Sequence, residues 1–188
     1  MNEFIKPKIN SPFYFARKGL YEAALLFASK INGGNLLDFG CGSKPYKSLF
    51  NVNKYIGIDF ENEGHSHKNE NIDIIYDRGA LPFNDFEFDY ILCTEVLEHL
   101  FDIDEKLKEF NRVLKKDGLL FVTCPFVWNE HEIPNDYARY TSFALNEKFK
   151  KIILTLYYLK NLEIFLKHIF KFFSYTFQKK ILNILNRK

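Results

Sequence analysis

Apolar and polar positions alternate along this chain in short blocks with two different periods. From Phe13 through Leu20, Leu25, Leu26 and Ile31 the apolar residues recur at helical spacing, and Gly33-Gly34 ends the run. Four short apolar runs follow, each read as a buried strand: Asn35–Phe39, Tyr55–Phe60, Ile72–Tyr76 and Phe88–Cys93. Lys44–Phe50 reads as a short helix or irregular turn, and Glu61–Asn71 as a polar loop. Val96–Leu114 returns to helical spacing, with Leu97, Leu100, Leu107, Phe110 and Leu114 on one face. Asp117-Gly118 is a stop signal, and Leu119–Cys124 is a fifth strand ended by Pro125.

Strands alternating with helices predict an α/β fold with a doubly wound, mostly parallel sheet and helices on both faces. Such sheets bind ligands beyond the carboxyl ends of their strands. Asp38, Asp59, Asp77 and Glu95 all fall at or just past predicted strand ends. Taken singly, an acid there is an ordinary helix cap; several in order are harder to explain that way.

The run Leu36-Leu37-Asp38-Phe39-Gly40-Cys41-Gly42-Ser43 gives a strand and then two glycines, which let the backbone turn tightly and approach a ligand. A dinucleotide cradle requires a third glycine where this chain has Pro45. It would also be repelled by the carboxylate of Asp38, so a nicotinamide oxidoreductase is disfavoured. Asp59 stands 21 residues after Asp38, an offset suited to a pair of ribose hydroxyls. Asp77 is placed to accept from an adenine amino group, with Ala80 and Leu81 flanking the base.

Residues 36–145 resemble the class I S-adenosylmethionine-dependent methyltransferase superfamily, in its small methyltransferase-domain form. DFGCGSKPY is similar to the family's glycine loop. DRGALPFNDFEFDYILCTEVLEHL is similar to the region of its third and fourth strands, and LKEFNRVLKKDGLLFVTCP to the following helix and strand. The resemblance implies a Rossmann-like fold and S-adenosylmethionine as cofactor. It implies Asp38, Gly40 and Gly42 at the amino-acid end of that cofactor, Asp59 at its ribose, Asp77 at its adenine, and Glu95 facing the site.

WNEHEIPNDYARYTSFAL resembles the corresponding segment of bacterial methyltransferases of cell-surface polysaccharide synthesis. That likeness implies a small or saccharide-like acceptor. His131, among acids and aromatics, is the candidate catalytic base; His99 reads as structural, and His65 and His67 as solvated. Cys41, Cys93 and Cys124 lack CxxC spacing and are expected as buried reduced thiols of a cytoplasmic protein, with no metal site. No signal peptide and no membrane span is read.

The charge is unevenly spread. Residues 1–146 carry 16 Lys+Arg and 22 Asp+Glu, whereas residues 147–188 carry 10 and 2. The first segment is read as the cofactor-binding domain. The second is read as its divergent basic, aromatic C-terminal part, with a candidate strand at Ile152–Leu159 and an apolar helical face from Ile164 to Phe173. The family's later pattern is not matched there, so the sheet is expected to be incomplete at that end. A basic aromatic tail suits peripheral contact with an anionic membrane face. The acidic body argues against nucleic acid. The alternative to an enzyme is a catalytically inactive partner protein of the same fold. Oligomeric state is not legible.

Overall fold

The computed structural model describes residues 4–61, 67 and 70–151. The chain divides into two compact units, one holding the N-terminal residues through Ala24 and the other beginning at Leu25. Within the first, the Arg17 guanidinium lies over the rings of Phe4 and Phe13, at 5.0 and 5.3 Å. Helix α1 spans Tyr14–Ala28.

The second unit is built on five strands: β1 (Asn35–Phe39), β2 (Lys54–Phe60), β3 (Ile74–Tyr76), β4 (Phe88–Thr94) and β5 (Leu114–Thr123). Every pairing is parallel, in the order β3-β2-β1-β4-β5. The chain runs outward from β1 through β2 to β3, then returns to the other side of β1. The switch point therefore lies between β1 and β4, and their carboxyl ends open the crevice where such folds bind ligands.

Leu36, Leu37 and Phe39 of β1 are fully buried, because a central parallel strand is covered on both faces. The register sets the two faces apart. Asp38, Leu92 and Phe121 lie on one face, where Phe27 stacks on Phe121 at 4.9 Å. Phe39 lies on the other, where its ring meets Phe110 edge-on at 4.9 Å. Phe110 belongs to helix α2 (Ile103–Val113). A last helix, α3 (Ser142–Lys150), begins at Thr141, whose hydroxyl accepts from the Ala144 amide.

Three sequence-based expectations are corrected. The helix expected over Val96–Leu114 is a 3₁₀ turn at Leu97–His99 followed by α2. Leu97, Glu98 and His99 are all buried, and a helix presenting a single apolar stripe cannot bury three successive residues. Strand β5 starts at Leu114, five residues before the expected point. Between Phe88↔Leu114 and Tyr90↔Leu119 its register shifts, and the expected stop at Asp117-Gly118 lies in that bulge. Gly118 is required there, since a Cβ would meet the Asp89 carbonyl at 2.9 Å.

The third correction is at His67, which is half-buried and hydrogen-bonded, not solvated. The expected strand at Ile152–Leu159, the helical face beyond it and His65 lie outside the described residues. No described helix is long and apolar enough to cross a membrane.

Candidate functional site

At the end of β1 the backbone turns through Gly40 (φ 69°) and Gly42 (φ 44°), both in the left-handed region. The amides of Gly40 and Cys41 donate to the Ile58 carbonyl of β2, at 2.9 and 3.2 Å. A Cβ on Gly40 would lie 2.2 Å from Cγ2 of the buried Val96. Glycine is therefore demanded by a protein neighbour as well as by backbone conformation.

Asp59 closes the loop from the other side. Its Oδ2 accepts from the Gly42 amide at 2.8 Å, and its Oδ1 from the Phe60 amide at 2.9 Å. Burial raises the carboxyl above its ordinary range, against the pull of those two amides. His67 sits above it, with Nε2 3.9 Å from Asp59 Oδ1 and 3.0 Å from the Phe60 carbonyl, and Nδ1 2.6 Å from Glu70 Oε2. Burial lowers the His67 pKa, but the Glu70 carboxylate and the Phe60 carbonyl outweigh it, and the net direction is upward.

Gly40, Gly42, Asp59, Phe60 and His67 line one cleft together with Glu95, Val96, His99 and Glu132. Glu95 follows β4 in the left-handed region (φ 56°), and its amide donates to the Thr123 carbonyl of β5. Burial raises its pKa, and the Thr123 hydroxyl and the Arg139 guanidinium oppose this without reversing it.

The segment after β5 is braced by its own ion pair. Arg139 meets both carboxylate oxygens of Asp136, at 2.6 and 2.8 Å, and holds that acid well below the usual carboxylate range. The Tyr137 amide donates to the Glu98 carbonyl, and His99 Nδ1 lies 2.7 Å from the Asn135 carbonyl. His131 Nδ1 lies 3.2 Å from both the Asn129 carbonyl and Asp136 Oδ2, and its ring meets that of His99 edge-on at 4.7 Å. These bonds place His131 and Glu132 beside the turn at Leu97–His99.

Of the sequence-identified residues, Gly40, Gly42, Asp59 and Glu95 thus share one cleft. Asp38 does not line it. Its carboxyl lies within the sheet, one residue short of the end of β1, receives the Tyr55 hydroxyl at 2.5 Å, and is pushed up to about 7 by burial. Asp77 and Ala80 are exposed and Leu81 is buried, all outside the cleft lining. The loop they sit on is anchored to α2. Buried Lys106 donates to the Arg78 and Gly79 carbonyls at 3.2 and 2.8 Å, and Arg112 to the Leu81 and Phe83 carbonyls. The three cysteines are free and buried, and burial pushes their thiols up.

Sequence reasoning passed over Glu98. It is fully buried, and neither of its carboxylate oxygens has a hydrogen-bond partner. Burial, with the nearby Glu95 charge, pushes it up to about 9. The signal was an acid at a position that the assumed helix would have left facing solvent.

The pattern of the methyltransferase-domain family matches residues 14–153. Demethylmenaquinone methyltransferase of Staphylococcus saprophyticus is 35% identical over 101 residues, which cover 47% of this chain and 43% of that protein. Ubiquinone biosynthesis O-methyltransferase of Pelagibacter ubique is 35% identical over 98 residues, covering 46% and 40%. The chain thus spans less than half the length of either relative. A solved complex of the Haloferax volcanii Trm112 methyltransferase activator with a putative methyltransferase matches with a TM-score of 0.57 and 22% identity, covering 71% of this chain and 66% of the matched one. A putative methyltransferase of Bacillus halodurans matches with a TM-score of 0.56 and 16% identity, covering 70% and 67%. Both structures share the fold.

Proposed function

Because the chain belongs to the methyltransferase-domain family, within the class I S-adenosylmethionine-dependent superfamily, we propose that it methylates a small acceptor bound over the cleft. The observation that carries this reading is the Asp59–Gly42 pair, which holds a carboxylate and a glycine turn against the same cleft. Each Asp59 oxygen has one amide donor and retains acceptor capacity for the hydroxyls of a ribose. Gly40 and Gly42 keep the turn free of side chains where the amino-acid end would lie. The residues fit the cofactor.

S-adenosylmethionine supplies, when bound, a methyl group on a sulfonium with a neutral thioether as leaving group. The protein's share is then chiefly alignment and exclusion of water. Asp59 and the glycine loop would hold the donor, and Glu95 and Val96 border the same cleft. Asp77, Ala80 and Leu81 would hold the adenine on a loop that Lys106 and Arg112 keep fixed from behind. Asp38 would act from beneath the cleft, by setting the shape and charge behind the glycine turn. For a hydroxyl acceptor, His131, outside the cleft lining but against the lining His99, would be the base, oriented through Nδ1 by Asn129 and Asp136.

The two quinone-pathway relatives and the polysaccharide-type segment both favour a small acceptor, and the aromatic and acidic loop at 125–141 suits a saccharide-like one. Residues 1–146 would carry the donor site. Residues 147–188 would complete the same domain and bring its basic, aromatic surface to the inner face of a membrane; α3 already runs across that boundary. Calorimetric titration of the full chain with S-adenosylmethionine and NAD in parallel tests the reading. Binding of the first alone is expected, and a folded protein that binds neither, or only NAD, overturns it.

A further inference from the structure

We infer that Glu98, His99 and His131 form a three-ligand binding site for a divalent transition-metal cation beside the cleft, with the fourth position open. The cysteine spacing that argued against a zinc site has no bearing on this set, which contains no cysteine.

One ligand atom from each of Glu98, His99 and His131 lies within 4.8 Å of the other two. His99 Nε2 is 3.8 Å from Glu98 Oε1 and 3.8 Å from Glu132 Oε2. A zinc ion at about 2.0–2.1 Å from each ligand, in tetrahedral geometry, sets ligand atoms about 3.3 Å apart. The Glu98–His99 pair reaches that by closing about half an ångström.

The imidazoles are oriented as metal ligands are. A carbonyl oxygen only accepts, so the Asn135 carbonyl fixes the proton of His99 on Nδ1 and leaves the Nε2 lone pair toward the two carboxylates. The Asn129 carbonyl does the same for His131, leaving its Nε2 as the available atom.

Glu98 supplies the independent observation. Its carboxyl group is buried completely, and neither oxygen has a hydrogen-bond partner. Leaving such a group unmatched in the interior is costly, and a cation between it and two imidazoles would satisfy it. Two imidazoles with a carboxylate suit zinc, iron(II), cobalt or manganese better than magnesium or calcium, which prefer all-oxygen sets.

His99 and Glu132 line the cleft, so the cation would open toward the acceptor side. His131 would then be a ligand and not a base, and an acceptor oxygen would be polarised by the cation directly.

The test uses the full chain stripped with a chelator. Calorimetry with zinc chloride should show one equivalent bound, and cobalt(II) chloride should give the visible absorption of an imidazole-coordinated ion. Glu98→Gln and His131→Gln should each weaken zinc at least tenfold. His131 is partly exposed, so its variant is expected to fold, checked by circular dichroism. His67→Gln, which removes the other histidine of the cleft, should bind zinc as the wild type does. Titrating the same samples with S-adenosylmethionine separates this outcome from that of the proposed donor site. No stoichiometric zinc, zinc unaffected by Glu98→Gln and His131→Gln, or loss of zinc in His67→Gln would each overturn the inference.

Discussion

The Gly42 amide donates to Asp59 Oδ2 at 2.8 Å, joining the turn after β1 to the end of β2. Asp59→Ala removes that tie along with the proposed acceptor of the ribose hydroxyls. Affinity for S-adenosylmethionine should fall by about 1.5–3 kcal/mol, the scale for hydrogen bonds to a charged group. Calorimetry measures it directly, and an unchanged affinity would place the cofactor elsewhere.

Gly40 and Val96 form a steric pair, because a Cβ at position 40 would stand 2.2 Å from Val96 Cγ2. Gly40→Ala is expected to destabilise the fold by overpacking, about 1–3 kcal/mol, and by its left-handed backbone, about 1–2 kcal/mol. Adding Val96→Ala should recover the overpacking part only. Urea unfolding of both single variants and the double variant is the measurement; strict additivity would show that the two residues do not collide.

Asp38 should make stability pH-dependent. Burial raises its folded pKa to about 7 from an ordinary value of 3.8, so the folded state keeps a proton that the unfolded chain releases. Its contribution is therefore fully present below about pH 4 and is lost as pH rises to about 7, on the order of 4 kcal/mol in all. Between pH 5 and 8 the wild type should lose about 2–3 kcal/mol relative to Asp38→Asn. Parallel urea curves for the two proteins across that range would remove Asp38 from the account.

Lys106 fixes the loop carrying Asp77 through the Arg78 and Gly79 carbonyls, with its ammonium 5.1 Å from the Tyr76 ring centroid. Lys106→Met keeps most of the stem's volume and removes both bonds. Cofactor affinity should drop about tenfold, roughly the worth of one charged hydrogen bond, with the melting temperature shifted by only a few degrees. Equal affinity in variant and wild type would detach this loop from cofactor binding.

The basic tail gives a salt-dependent expectation. The full chain should sediment with anionic vesicles at low salt and be released at high salt, since each lysine near such a surface contributes about 1 kcal/mol. Neutral vesicles should not retain it. Equal, negligible binding to both vesicle types would dismiss the membrane reading.

The strand pattern was legible because a parallel sheet buries both faces of its strands, leaving apolar residues in succession, as at Leu36-Leu37 and Ile91–Cys93. The glycine turn and Asp59 were legible because backbone demands and strand ends leave marks in residue type. Helical periodicity misled at Leu97–His99, where three successive buried residues require a tighter turn. The face on which Asp38 lies depends on sheet register, which no local pattern states. Glu98, His99 and His131 come together only through bonds such as Tyr137 to Glu98 and His99 to Asn135, made across 36 or more positions.

Strand β1 sits between β2 and β4, although Leu37 and its β4 partner Ile91 are 54 positions apart. No continuous stretch of chain can make the cleft, so it comes into being only when a long loop has closed and the central strands have paired, a step that is entropically costly and slow. A ligand held there is linked to global unfolding, not to the opening of one loop, and at a hundredfold excess over its dissociation constant it adds about 2.7 kcal/mol to the whole sheet. Amide-exchange protection on binding would thus extend to the β4–β5 ladder, well beyond any atom the ligand touches.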